Sequence, residues 1–184
     1  MDIWQRFTRQ TRKAYPFKAR LAATACGGLV VVFGIPAVIL RLAATGDDCW
    51  RFRLPPALVA LALVLAALGL ALGGWTVWVQ FRDARGTPIP VMATQKLLTD
   101  KAYALCRNPM ALGLLLFYLS LAVVTSSLRA VLAVVLFALL LIAYIKLVEE
   151  KEMALRFGDE YARYKQRVPF LLPRPSSLRR KPRA

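Results

Sequence analysis

Histidine is absent from this sequence, and acidic residues are few. The 184 residues include 26 Lys and Arg but only 10 Asp and Glu, which gives a formal net charge of +16 at neutral pH. Without histidine, a side chain that accepts a proton near neutral pH has to be a carboxylate or a tyrosine, or else solvent does so. There is also no internal repeat and no carboxyl-terminal prenylation motif, so neither a repeat architecture nor a prenyl anchor is expected.

Apolar residues dominate the sequence. They make up 58% of the chain, a share that does not fit an ordinary soluble domain and predicts a membrane protein. A run of about 20 apolar residues crosses the bilayer as a helix. Residues 21–40, 56–81 and 128–148 are long enough, whereas residues 110–124 cover only about 22 Å at ~1.5 Å per residue. This shorter segment has to begin inside the membrane interface or lie under protein cover.

These segments predict a single all-α membrane domain with four transmembrane helices. Only residues 125–127 connect the last two segments, so those two form an antiparallel helical hairpin. Lysine and arginine gather before the first segment, between the second and third, and after the fourth. By the positive-inside rule, both termini and residues 82–107 lie in the cytoplasm. We expect the membrane to be a bacterial inner membrane.

The net positive charge has two explanations. It is typical of nucleic-acid binding, but basic loops on the inner side and a basic tail attracted to anionic lipid account for it without that partner. We therefore expect membrane lipid, and no nucleic acid, as a partner. Residues 174–184 have too little apolar content to fold and are predicted to be disordered. No disulfide is expected, because the cysteines lie in a span and in loops on opposite sides: Cys26, Cys49 and Cys106.

Residues 106–113 read CRNPMALG and mark the start of the third helix. Asn108 suits the amino-terminal cap, and Pro109 at the first helical position gives up an N–H that would be unpaired. The positive end of this helix favours a carboxylate or phosphate, and Arg107 beside it offers a fork of donors for the same groups. The alternative is that an interfacial arginine and an asparagine cap only anchor the helix.

Glu149 and Glu150 stand at the predicted carboxyl end of the fourth helix. A negative charge there opposes the helix dipole and costs roughly 0.3 to 1 kcal/mol. Lys146 is four residues before Glu150, so the two are expected to face each other and pair. That pairing satisfies one glutamate and leaves the other available.

The predicted hairpin brings the start of the third helix and the end of the fourth to one side of the membrane. A site for an anion and a site for a cation would then be neighbours, and S-adenosylmethionine, with a carboxylate, an ammonium and a sulfonium, would match both. Farther along, Tyr161, Tyr164 and Val168 recur at helical spacing, which is more typical of packing than of chemistry. We interpret them as part of a short amphipathic helix on the cytoplasmic interface that closes the pocket.

Five motifs occur in one order along the second half of the chain. They are GTPIP at 86–90, KLLTDKAY at 96–103, RNPMALG at 107–113, VEEKEMAL at 148–155 and FGDEYARYKQRVP at 157–169. In these motifs and their order, the chain resembles the integral-membrane methyltransferases of the isoprenylcysteine carboxyl methyltransferase and phospholipid methyltransferase group. The resemblance implies S-adenosyl-L-methionine as cofactor. The two amino-terminal segments carry no comparable motif.

In that family the Arg-His/Asn-Pro motif, the loop before it and the glutamate pair bind the cofactor. Matched by position, the implied cofactor contacts are Gln95, Lys96, Leu97, Leu98, Tyr103, Asn108, Pro109, Met110, Ala111, Glu149 and Glu150. The chain departs from the family's usual Gly-Pro-Tyr-Arg-Tyr at residues 101–105, and from its usual aromatic residue at Ala111. These departures remove stacking surface. Prenylcysteine enzymes have a substrate arginine where this chain has Ile145 and Lys146, which argues against a prenylcysteine acceptor.

The resemblance implies an enzyme that transfers the cofactor's methyl group to a lipid-like or apolar acceptor at the cytoplasmic membrane face. Arg107 either orients an anionic acceptor or anchors its helix, and is the candidate substrate contact. We assign no catalytic side chain and no metal ligand; an amine acceptor would need Glu149, Glu150, Tyr103 or solvent as a base. Two alternatives stay open. They are a nicotinamide-dependent membrane reductase, since sterol reductases share a similar carboxyl-terminal layout, and a non-enzymatic membrane scaffold with the same fold.

Overall fold

The computed structural model describes residues 15–45, 50–84, 86–87, 92 and 94–173. Seven α-helices follow one another in these ranges: α1 (Phe17–Leu29), α2 (Ile35–Ala44), α3 (Pro56–Asp83), α4 (Ala102–Leu105), α5 (Pro109–Val124), α6 (Leu128–Tyr144) and α7 (Glu150–Arg167). No β-strand occurs in the same ranges, which confirms the all-α fold class. The predicted disordered tail at 174–184, part of the motif at 86–90, and Cys49 lie outside the described residues.

Among the described residues, three continuous helical stretches are long and apolar enough to cross a membrane: Phe17–Ala44, Pro56–Asp83 and Leu128–Arg167. The fourth apolar helix, α5, is shorter. The division into three long segments and one short one agrees with the sequence. The first stretch extends beyond the predicted 21–40 at both ends, because its flanking residues continue the helix without a breaking residue.

A π-helical segment, Val30–Gly34, lies inside the first stretch and joins α1 to α2. Pro36 lies two residues after its end, in the first turn of α2. Proline has no N–H and crowds the preceding turn of an α-helix, and a π turn is one way to change the hydrogen-bond register around it. The helix type therefore changes next to Gly34 and Pro36, within one continuous helical stretch.

The fourth helix does not end at residue 148, so its predicted carboxyl end was wrong. After α6 the chain passes through the π-helical segment Ile145–Glu149 into α7. The first non-helical backbone is at Gly158, where φ is 49°. Glu149 and Glu150 are thus inside a helical stretch and not at its carboxyl end, which removes the expected conflict with the helix dipole. The apolar part of the stretch still ends at Val148, where charged residues begin.

Helix α5 lies under protein cover, as its short length predicts. Its buried residues include Ala111, Gly113 and Tyr118, and the Tyr118 hydroxyl donates to the Val31 carbonyl at 2.7 Å. A glycine of α5 lies close to α3: a Cβ on Gly113 would come within 2.6 Å of the Gly69 carbonyl oxygen. Small residues allow such backbone proximity between membrane helices. Packing on α3 therefore holds α5 in place.

The predicted hairpin is present between α5 and α6. The two helices pack against each other, and residues 125–127 make the turn, with Ser126 at φ 54°. The Ser127 hydroxyl caps α6 by accepting a hydrogen bond from the Ala130 N–H. As a result, the start of α5 and the end of α6 lie at the same end of the molecule.

Candidate functional site

A cavity of about 200 Å³ opens where the end of α3, the start of α5 and the α6–α7 junction meet. Most of the residues predicted to bind the cofactor line it: Leu97, Leu98, Tyr103, Asn108, Pro109, Met110, Ala111, Glu149 and Glu150. Arg107, the predicted substrate contact, lines it too. Gln95 and Lys96 do not line the cavity; the Gln95 N–H instead donates to the Ala84 carbonyl at 2.8 Å. The tertiary structure thus gathers nearly all of the predicted set in one place.

Helix α5 starts at Asn108 and Pro109 as predicted, but Asn108 does not cap it with its side chain. The Asn108 Nδ2 donates to the Phe170 carbonyl at 2.9 Å. Next to it, the Arg107 backbone N–H donates to the Pro169 carbonyl at 2.8 Å. The segment after α7 passes across the helix start, and the asparagine amide is used to hold it there.

Glu150 is the centre of a network of basic side chains. Its carboxylate accepts hydrogen bonds from Arg107 at 2.9 Å, Lys146 at 3.2 Å and Lys165 at 2.5 Å. Burial raises the pKa of Glu150, but the bonds from Lys165 and Lys146 and the charge of Arg107 outweigh it, so the pKa is lowered overall. The pairing of Lys146 with Glu150 is therefore confirmed. Both carboxylate oxygens of Glu150 accept hydrogen bonds from basic side chains.

Glu149 has the opposite surroundings. Within the part of the chain that the structure describes, its carboxylate has no hydrogen bond or ion pair, although it lines the cavity. Burial, with a smaller contribution from the charge of Glu152, raises its pKa to about 7. Of the adjacent pair, Glu149 is the glutamate left available to a ligand.

Tyr103 lines the cavity and is held in place by two hydrogen bonds. The Gln80 Nε2 donates to its hydroxyl at 2.5 Å, and the Tyr164 hydroxyl donates to its backbone carbonyl at 2.8 Å. Burial raises the pKa of Tyr103 to about 12, so the phenol is protonated at neutral pH and does not act as a base there. Since Glu150 is paired, Glu149 is the best placed of the three side chains that the sequence left open for that role.

A second ion pair stands in the cavity wall. Arg156 Nη1 donates to the Glu152 carboxylate at 2.9 Å, and their side chains are only 5% and 7% exposed. Arg156 Nη2 donates to the Thr94 backbone carbonyl. This one guanidinium thus joins α7 to the segment before α4.

Several cavity residues were not identified from the sequence, among them Gln80, Thr94, Glu152 and Arg156. The spacing of Glu152 and Arg156, four residues apart, is the same signal that revealed the pair of Lys146 and Glu150. Nothing in the sequence marks Gln80, because it lies in an apolar segment without a motif. Tyr161 and Tyr164, expected to pack, line the wall.

The departures from the family pattern fall at different places. Ala104 and Leu105 lie in α4 and are not among the residues that line the cavity. Ala111 is buried and does line it, so the loss of an aromatic side chain there changes the wall itself. Of the two residues where prenylcysteine enzymes have an arginine, Ile145 lines the cavity and Lys146 is bonded to Glu150.

The fold and the cavity define a helical integral membrane protein with a cavity at the ends of its apolar helices. A family model described as phospholipid methyltransferase matches residues 58–160. Because the match covers more than half of the 184 residues, the chain belongs to the phospholipid methyltransferase family and is a membrane methyltransferase. The match begins inside α3, so the family signal also includes a segment in which no motif was recognised. Comparison with curated proteins finds no significant match.

Proposed function

We propose that the protein transfers a methyl group from S-adenosyl-L-methionine to a lipid-like or otherwise apolar acceptor at the cytoplasmic face of the membrane. The observation that carries this proposal is the unpaired carboxylate of Glu149 in a cavity that also contains Tyr103 and the start of α5. An unpaired carboxylate that is partly removed from water favours a cationic ligand. Membership of the phospholipid methyltransferase family supports the same reading.

The polar groups of the cavity wall fit a ligand with both donors and acceptors. Gln80 Oε1 and Arg107 Nε are buried and have no hydrogen-bond partner among the residues that the structure describes, and both residues line the cavity. A buried polar group without a partner costs about 1–3 kcal/mol. A bound amino acid and nucleoside would offer partners to such atoms, while Glu149 would hold a positive centre.

When bound, S-adenosylmethionine would supply an electrophilic methyl group carried on a sulfonium. The chain's own contribution is binding and alignment. Leu97, Leu98 and Met110 form apolar wall and keep water out, and Tyr103 is held in one position by Gln80 and Tyr164. We propose no contact for Gln95 and Lys96, which stand outside the cavity.

Arg107 is our proposed contact for an anionic group of the acceptor. Its Nη1 is already bonded to Glu150, so the contact would use the nitrogens that Glu150 leaves unbonded. For an amine acceptor, Glu149 is suited to take up the released proton because its pKa is about 7. Carboxylate or thiolate acceptors need no base.

In the membrane we propose four crossings, with both termini and the cavity on the cytoplasmic side. The basic residues around the cavity, including Arg107, Lys146 and Lys165, support this side under the positive-inside rule. The part of α7 after Gly158 would lie along the interface as an amphipathic helix. Tyr161 and Tyr164 on its inner face are buried, which supports a role in closing the cavity.

The proposal is tested by equilibrium binding of S-adenosylmethionine to detergent-purified protein. Wild type should bind, and Glu149→Gln should weaken binding about tenfold or more, since a hydrogen-bonded charge contact contributes roughly 1.5–3 kcal/mol. Glu160→Gln, at an exposed position of α7, is the matched control and should bind as wild type does. Binding of a nicotinamide dinucleotide with none of S-adenosylmethionine would contradict the proposal and favour a reductase, and an unchanged isotherm for Glu149→Gln would favour a scaffold.

The pH dependence of binding adds a second arm to this test. Glu149 has to be ionised to attract a cation, and its pKa of about 7 means that protonation competes with binding as the pH falls below that value. The wild-type dissociation constant should therefore rise as the pH is lowered from 8 to 6. The dissociation constant of Glu149→Gln should change less over the same range. Incubation with radiolabelled cofactor and total membrane lipid extract would then identify the acceptor from whatever becomes labelled.

A further inference from the structure

Arg156 makes two different bonds from one guanidinium. Nη1 reaches the Glu152 carboxylate one turn earlier in α7, and Nη2 reaches the backbone carbonyl of Thr94, 62 residues away in the chain. The ring of Phe157 lies 5.0 Å from the guanidinium carbon. The side chains of Glu152 and Arg156 are almost wholly buried, so neither bond is a surface contact screened by water.

The segment that receives the second bond is part of the cavity wall. Within residues 94–98, Thr94, Leu97 and Leu98 all line the cavity. This segment is also attached to the end of α3, because the Gln95 N–H donates to the Ala84 carbonyl at 2.8 Å. Gly86 is so close that a Cβ there would come within 2.5 Å of the Thr94 Cα. The segment is therefore held by two contacts, one with the end of α3 and one with Arg156 of α7.

Neutralising Glu152 does not require an arginine. A lysine four residues later in a helix would pair with the same carboxylate. A lysine presents one compact ammonium, whereas the guanidinium is a planar fork that bonds two acceptors in fixed directions. The bond to Thr94 is the part of this arrangement that arginine supplies and a lysine pairing with Glu152 would not.

We propose that Arg156 is a positioning residue that sets the place of the 94–98 wall against α7, and that ligand affinity depends on it. This inference rests on the proposed function for its ligand, although the position of the wall is measured without one. Arg156 acts by fixing the carbonyl of Thr94, and through it the apolar side chains of Leu97 and Leu98 that face the cavity.

The test is Arg156→Lys in the full-length purified protein, which keeps the charge beside Glu152 and removes the fork. Hydrogen exchange of residues 94–98 in the ligand-free protein should become about tenfold faster, as expected for losing one hydrogen bond to a charged donor. The dissociation constant for S-adenosylmethionine should rise about tenfold, while the melting temperature stays close to that of wild type. Arg163→Lys, the same change at an exposed position of α7, should alter neither quantity.

Each other outcome has a defined meaning. Unchanged exchange at 94–98 overturns the proposal, and unchanged exchange with weaker binding would show that Arg156 contacts the ligand directly. Faster exchange with unchanged affinity also overturns it, since the wall's position would then not matter to the ligand. If wild type does not bind the cofactor, the proposed function fails, yet the exchange measurement still decides whether Arg156 positions the wall. Should Arg156→Lys fail to fold, the same measurements are made on the double variant Glu152→Gln/Arg156→Gln. This variant is neutral at both positions and leaves no unpaired buried charge.

Discussion

Glu149 and Glu150 are neighbours in the sequence, yet their carboxylates lie in different electrostatic surroundings. Glu150 is enclosed by Arg107, Lys146 and Lys165, while Glu149 lies in the cavity wall with no hydrogen bond or ion pair to any described residue. Consecutive helical residues point about 100° apart because a helix has about 3.6 residues per turn. The two side chains therefore face different neighbours, so one is structural and the other is available for binding.

The different surroundings of Glu149 and Glu150 predict different effects of the same substitution at the two positions. Glu150→Gln leaves the guanidinium of Arg107, only 8% exposed, without its carboxylate. Breaking a buried ion pair costs about 3–5 kcal/mol, which corresponds to a melting temperature about 10 °C lower for a chain of this size. Glu149→Gln should leave the melting temperature unchanged or slightly higher, because it removes an unpaired charge.

Thermal unfolding of both variants in detergent, followed by circular dichroism, measures this difference. The comparison needs no ligand, so it is independent of the proposed function. Equal losses of stability in the two variants would contradict the assignment of Glu150 as the structural member of the pair.

At the scale of elements, the contact between α3 and α5 has a simple chemical basis. Gly69 and Gly73 are four residues apart in α3, a small-xxx-small pattern that favours close helix packing in membranes, and Gly113 of α5 faces them. The pattern is visible in the sequence, but its partner is not, because it depends on which helix packs there. Through this contact α3 holds the helix whose first turn forms part of the cavity.

Gly113→Ala is therefore expected to destabilise the protein. A Cβ at this position would lie 2.6 Å from the Gly69 carbonyl oxygen and 2.8 Å from the Gly73 nitrogen, so the two backbones would have to separate. Overpacking of this kind costs about 1–3 kcal/mol. The measurement is the melting temperature together with cofactor affinity, since movement of α5 would also move Asn108 and Arg107.

The matched control is Gly74→Ala in α3. A Cβ on Gly74 would meet nothing within 4 Å, and alanine is favoured over glycine in a helix by about 1 kcal/mol. This variant should be as stable as wild type or more so. A Gly113→Ala variant that matched it would show that the two helices are not in close contact.

The α6–α7 junction shows where local pattern reading fails. Charged residues after Val148 suggested a helix end, but the helical backbone continues to Gly158. The glutamates inside it are accommodated by Arg156 and Lys165 from other turns of α7 and by Arg107 from the segment before α5. The helix end was predicted from the change in composition. The helix continues because basic side chains lie beside its glutamates in the folded structure.

At the scale of the whole molecule, the proposed topology makes a direct prediction about α5. If α5 crosses the membrane, the segment before it and the turn after it lie on opposite sides. Lys96 and Leu128, both exposed, report on these two places. In a variant whose native cysteines are replaced, Lys96→Cys should react with an impermeant maleimide only in inverted vesicles, and Leu128→Cys only in intact cells.

Labelling of both cysteines from one side would show that α5 enters the membrane without crossing it, leaving three spans. The short length of α5 makes this a real test, because its 16 residues cover only about 24 Å at ~1.5 Å per residue. Close packing on α3 supports the crossing, since a helix covered by protein does not have to match the full apolar thickness by itself.

The sequence by itself determined the all-α fold, the three long apolar stretches, the α5–α6 hairpin and the start of α5 at Pro109. These follow from local physics: run length, a short connection and the backbone chemistry of proline. The family was recognised in a different way, from the resemblance of five ordered motifs to known methyltransferases. The sequence also predicted the bond between Lys146 and Glu150, because four residues of helix bring those side chains together whatever the rest of the chain does.

Only the tertiary structure decided which atoms are left unpaired. Contacts between segments distant in sequence decide three features of the site. They leave Glu149 available, bond Asn108 to Phe170 and join Arg156 to Thr94. The energy of a buried polar group depends on which partner reaches it. Helix packing determines which partner reaches each polar group, and the local pattern of residues does not show how the helices pack.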